Sequence, residues 1–111
     1  MENPLAVREY EVRLSPAGVV PLRLAVGMPS PAPPDVVCEY EITGTGRPAK
    51  ARRVYGVDGI QALLLALMAA NAELERIARD LGGVVFWLGG TGIGLPDANA
   101  FPTAPVPVDS T

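Results

Sequence analysis

Four glycines fall within the six residues Gly89-Gly90-Thr91-Gly92-Ile93-Gly94. A run of glycine amides after a strand can form a nest that holds an anion. A phosphate-binding loop, however, ends in Gly-Lys-Ser/Thr and opens a helix. Here Gly94 is followed by Leu95-Pro96-Asp97, with no lysine, and Pro96 steers the preceding residue away from helix. A dinucleotide fingerprint belongs to a βαβ unit near the start of a parallel sheet, and this run has no such setting. The glycines are therefore read as a loop leaving the last strand.

Carboxylates give the next candidates. Glu9 with Glu11, and Glu39 with Glu41, stand at two-residue spacing, so each pair projects from one face of a strand. If the two faces coincide, four carboxylates could surround a divalent cation. The plainer reading is a solvated sheet face, with Arg13, Arg23, Arg52 and Arg53 as cross-strand counter-charges. No feature sets one carboxylate apart as buried, so paired-carboxylate glycoside chemistry is not expected. Cys38 alternates with Val36, Tyr40 and Ile42 and is read as a small buried hydrophobe. The chain has no histidine and one cysteine. Structural zinc, an intrachain disulfide and an imidazole base are thus excluded. No cofactor and no metal are expected. Lys50, Arg52 and Arg53 divide between the two faces of a strand, and the chain carries 9 Lys+Arg against 12 Asp+Glu. That balance lacks the basic stripe of a nucleic-acid binder.

The elements that position these residues follow from periodicity. Tyr10, Val12 and Leu14 alternate with Glu9, Glu11 and Arg13; Ser15-Pro16-Ala17-Gly18 turns the chain; Val20, Leu22, Leu24 and Val26 continue the rhythm. This is a hairpin with one wet face, and Pro21 must sit at an edge, a bulge or the strand's start. Residues 28–34 hold four prolines and are read as a stiff extended loop, not a pairing strand. Strands follow at residues 36–42 and about 49–55. Asp58 caps a helix, with Gln61 reaching back to the Asp58 amide. Its core stripe is read from Ile60, Leu63, Leu64, Leu67, Leu74, Ile77, Ala78 and Leu81, and Gly82-Gly83 ends it. The helix spans residues 59–81, about 34 Å. A last strand covers residues 84–88, with Val84, Phe86 and Leu88 facing the core. The predicted fold is α+β: an antiparallel sheet of four to five strands with one long helix packed across it, in the order ββββαβ. Residues 1–95 form the single domain and residues 96–111 a Pro-rich tail.

Three stretches carry a family resemblance. They are Cys38-Glu39-Tyr40-Glu41-Ile42-Thr43-Gly44, Val54-Tyr55-Gly56-Val57-Asp58-Gly59-Ile60-Gln61-Ala62-Leu63 and Phe86-Trp87-Leu88-Gly89. In this order they resemble a family of small bacterial proteins known as a domain of unknown function. The middle stretch, with its Tyr-Gly-x-Asp-x-x-Gln-Ala-Leu pattern, is the most specific. The resemblance spans about residues 5–90. It implies a bacterial source and one domain, and it brings no activity, substrate or catalytic residue.

Length and composition agree with one small domain: 111 residues, 49% apolar, net charge -3. The longest apolar run, residues 62–70, is far short of the roughly 20 residues that cross a bilayer. The amino terminus has no basic region followed by an apolar run. No membrane contact and no nucleic acid are expected, and the location is read as cytoplasmic. One surplus remains. Leu65 and Met68 lie off the helical stripe, and Val85 and Trp87 point away from Val84, Phe86 and Leu88. A two-layer domain has one interior, so either the Pro-rich tail or loop 28–34 covers these four residues, or they form an interface with another protein or a second copy, to which they are assigned. The function expected is a non-enzymatic protein-interaction module of bacterial origin, such as an immunity or adaptor protein. The alternative is a small-molecule-binding domain with a pocket between sheet and helix, lined by Tyr40, Tyr55 and Trp87.

Overall fold

Register between neighbouring strands fixes the architecture of the computed structural model, which describes residues 1–97 apart from 17, 45 and 47. Strands β1 (Ala6–Leu14) and β2 (Val19–Val26) form the expected hairpin, with Ala6 opposite Val26 and Arg13 opposite Val19. After β3 (Ser30–Ala32), β4 (Asp35–Thr43) pairs with β2 from Tyr40 to Thr43 and with β3 from Asp35 to Val37. β5 (Arg52–Gly56) lies along the other side of β4. Helix α1 (Gly59–Leu81) then leads to β6 (Gly83–Trp87), which pairs with β1, and to the two-residue β7 (Gly90–Thr91). All pairings are antiparallel.

The fold is α+β, one helix on an antiparallel sheet, as the sequence predicts. Among the described residues the sheet has seven strands, more than the four to five expected. Both extra strands come from segments read as loops. The proline segment supplies β3, where Pro31 faces Val36 on the rim of the sheet and its missing N–H costs no internal bond. The glycine run supplies β7. Pro21 falls beyond Arg23, the last β2 residue that pairs with β4 in that direction, so it too meets no β4 acceptor. Of the segment expected to form a tail, residues 98–111 lie outside the described residues.

α1 runs from Gly59 to Leu81 as expected. The Gln61 N–H donates to Asp58 Oδ1 at 2.8 Å. The Gln61 Oε1 accepts from the Val57 N–H at 2.8 Å, one residue before the amide expected. Gly82, at φ 72°, donates to the carbonyls of Ala78 and Arg79 and closes the last turn.

The expected stripe holds in part: Leu74, Ile77 and Ala78 are buried and Leu63 and Leu67 pack against the core, but the most buried positions of the first half are alanines. Ala62, Ala66, Ala70, Leu74, Ile77 and Ala78 are buried, whereas Ile60 is 73% exposed and Leu81 also reaches solvent. The small alanine side chains let the first half of the helix lie close to β4 and β5. Contact is tightest at Gly56, where an added Cβ would stand 2.5 Å from the Ala62 backbone nitrogen. β6 is also turned over relative to expectation. Val85 is in the core, and Val84 and Leu88 are exposed. The cause is register: Val85 sits opposite Val12, and residues facing each other on adjacent strands share a face. Val12 is fully buried, so Val85 is too.

Two substitutions test this junction. Gly56→Ala should destabilise the fold by about 1–3 kcal/mol through overpacking, read as a lower denaturation midpoint with unchanged cooperativity. Asp58→Ala should cost about 0.5–2 kcal/mol by loss of the cap. An unchanged midpoint in either variant would contradict the corresponding contact.

Candidate functional site

The glycine run forms a strap held through one amide and two carbonyls. Leu88 and Gly89, at φ 52° and 80°, make a two-residue turn between β6 and β7 of the type that suits a twisted hairpin. The chain then doubles back. Gly92 N–H donates to the Val85 carbonyl at 3.0 Å, and Ile93 enters the core. The Tyr10 hydroxyl donates to the Ile93 carbonyl at 2.7 Å, and Arg8 Nη1 donates to the Gly94 carbonyl at 2.9 Å. Gly94 passes so close to Trp87 that an added Cβ would lie 2.5 Å from its ring. The Arg8 guanidinium lies 3.7 Å from the centre of the same ring. The strap therefore locks Trp87 in place.

The charged face of the sheet resolves into pairs. Arg23 meets Glu9 at 3.5 Å, Arg13 meets Glu11 at 3.3 Å and Arg53 meets Glu39 at 3.4 Å. Glu41 takes the amino-terminal ammonium at 3.2 Å. Arg52, expected on this face, turns to the helix side and binds Glu73 at 3.3 Å. Among the described residues no three carboxylates or thiols gather into a metal-binding group. β2 separates the two glutamate pairs, which keeps them from converging.

Two reactive groups are held in the core. Cys38 is fully buried, with Sγ donating to the Gly27 carbonyl at 3.4 Å. Burial, and then the Glu39 carboxylate, push its thiol pKa up. The Tyr40 hydroxyl donates to Glu73 Oε1 at 3.0 Å. Burial above all, then the Glu73 charge, push Tyr40 up to about 12 against the opposing Arg52 and Arg76. Burial likewise raises Tyr10, partly offset by Arg8.

The residues assigned to an interface separate. Val85 is in the protein's own core and Trp87 is half-buried under the strap. Leu65 and Met68 are half-buried on the side of α1 turned away from the sheet. The pocket expected from Tyr40, Tyr55 and Trp87 is not assembled. Tyr40 is in the core, Tyr55 lies on the outer face of β5 and Trp87 is across the sheet on β6.

The structure shows two features the sequence reading missed. An apolar groove of about 510 Å³ opens at the start of α1, between Leu5, Met28, Pro29, Ile60 and Leu63. Of its lining residues, Met28 is 66% exposed and Ile60 73%. A second groove, of about 480 Å³, lies between the later half of α1, the strap and the outer edge of β6. The exposed Met28 lay in a segment read as a loop, and Ile60 was assigned to the core. A helix register based on alanine would have freed Ile60.

Residues 6–97 match the model of a domain of unknown function, DUF6968. No curated protein and no solved structure matches the chain.

Chemistry at the two core groups can be tested directly. Cys38 in the folded protein should resist thiol reagents at neutral pH and react fully after denaturation; fast labelling of the native state would contradict its burial. Tyrosine in an unfolded chain ionises near pH ~10, whereas Tyr40 holds its proton to about 12. The folded state thus binds the extra proton, and the stability from Tyr40 is complete below pH ~10 and lost as pH rises through about 12. Denaturation midpoints should fall across that window, less steeply in Tyr40→Phe.

Proposed function

The chain belongs to the DUF6968 family, and from that footing we propose that it works as a non-enzymatic protein-interaction module in the bacterial cytoplasm. An immunity or adaptor role fits this reading. Its partner-binding face starts at the apolar groove beside the beginning of α1. The observation that carries it is the exposure of three large apolar side chains, Leu5, Met28 and Ile60, that line that one groove. Clustered exposed apolar surface is expensive in water and marks interaction sites more than isolated residues do. The face continues along α1. Ile60, Leu64 and Met68 stand four residues apart, in one row on the helix surface, with Leu65 beside them. Two of the four interface residues expected from the sequence, Leu65 and Met68, thus remain part of the proposed face.

Site-specific photocrosslinking in the source cell tests this. A crosslinker at Met28 should give one predominant adduct with another protein, and Ile60→Glu in the same chain should abolish it. A crosslinker at Arg53, on the charged sheet face, should give none. Equal adducts from positions 28 and 53, or an adduct unaffected by Ile60→Glu, would contradict the assignment.

A further inference from the structure

The short basic cluster that leads into β5 is divided by the alternation of the strand, and the half that faces the helix builds a third cavity. Arg53 lies on the outer face of the sheet, with Glu39 at 3.4 Å. Arg52 turns the other way, to Glu73. With Lys50, from the segment before β5, it meets Glu73 and Arg76 of α1 around a pocket of about 460 Å³. Ile42 and Ile77, two buried members of the core, also line it.

Charge sets this pocket apart. On the outer face of the sheet Arg13, Arg23 and Arg53 each have a glutamate. The pocket instead gathers three cations and one carboxylate, in a chain whose net charge is -3. That carboxylate is already engaged. Glu73 accepts from the Tyr40 hydroxyl at 3.0 Å and pairs with Arg52 at 3.3 Å. Arg76 reaches Asp80 only at 3.9 Å, with both side chains about half exposed, a pairing of little strength. Asp80 is not part of the pocket wall. Lys50 enters none of the ion pairs among the described residues. Lys50 and Arg76 are thus left facing a cleft with apolar walls, which focuses the field of like charges instead of letting water disperse it.

We propose that this pocket binds a small organic monocarboxylate, its anionic group held between Lys50 and Arg76 and its apolar body laid against Ile42 and Ile77. The Arg76 guanidinium offers the forked donors that match a carboxylate, and Lys50 adds a point charge. Glu73 selects for a single negative charge. Its own carboxylate, fixed in the wall by Tyr40 and Arg52, repels a second one. The volume is that of a small-molecule site. Such a site lies between sheet and helix but is built from other residues than Tyr40, Tyr55 and Trp87. It also uses a different surface from the apolar face at the start of α1, so either assignment can fail alone.

Amide NMR of the full chain, titrated separately with benzoate, 3-methylbutanoate, benzamide and inorganic phosphate, tests this. Both carboxylates should give saturable shifts at Lys50, Arg52, Arg76 and Ile77. Benzamide has the shape of benzoate without the charge and should bind about tenfold more weakly or worse. Phosphate should leave bound benzoate in place. Lys50 and Arg76 are exposed, so Lys50→Gln and Arg76→Gln should keep the denaturation midpoint while each weakens benzoate about tenfold. Ile60→Glu should leave benzoate binding unchanged. No saturable shift with either carboxylate at millimolar concentration, benzamide binding as well as benzoate, phosphate displacing benzoate, or benzoate binding indifferent to both glutamine variants would overturn the proposal.

Discussion

The seat of α1 on the end of β5 is the constraint on which the rest of the structure depends. Gly56 has no side chain, and Ala62 uses that space. Asp58 and Gln61 close the free amides of the turn between them. The helix is thereby pinned at one edge of the sheet, beside β4 and β5. Its next strand, β6, pairs at the opposite side, beside β1. α1 must therefore cross the whole sheet, and its length of 23 residues does so. An alanine face at the start of that crossing keeps the two layers close, and Leu74 and Ile77 fill the wider gap farther on.

That close seat has a consequence for the surface. Alanine occupies the most buried positions of the first half of α1, with Leu63 and Leu67 packed against the core beside them, and other large apolar side chains go to the outside. Ile60, Leu64, Leu65 and Met68 are all turned from the sheet or exposed. A small domain gains only about 25 cal/mol for each Å² of apolar surface it hides. Large side chains left outside forgo that gain unless a partner supplies it. The outer face of the sheet shows the opposite economy. Its glutamates and arginines pair with one another, across strands at Arg23–Glu9 and Arg53–Glu39 and along β1 at Arg13–Glu11, which leaves a face suited to solvent. Exposed apolar surface is thus concentrated around the start of the helix.

Much of this was legible in the sequence. Asp58, Gln61 and the double glycine after Leu81 marked both ends of the helix, because caps are local chemistry. Alternation revealed the β1–β2 hairpin and the buried face of β4, where charged residues mark the wet side. Legibility failed where that contrast was missing. Residues 84–88 are all apolar, so nothing in the segment says which side faces in; only the register with Val12 decides. The helix has apolar residues on every side of its first half, and leucine drew attention away from the alanines that touch the sheet. The glycine run reads as a plain loop because its partners, Arg8 and Tyr10, lie more than eighty residues away in sequence. The interface residues suffered in turn: Val85 and Trp87 depended on the face of β6, whereas Leu65 and Met68 depended only on helix geometry and kept their outward position.

Residue-resolved native-state hydrogen exchange on the full chain tests the central claim, that the seat at Gly56 joins helix and sheet into one unit. The account predicts that the amides of Ala66, Ala70 and Leu74 in α1, and of Cys38 and Tyr40 in β4, exchange only through global unfolding and respond together to added denaturant. Exchange of the α1 amides through a separate, cheaper opening, with β4 still protected, would contradict it.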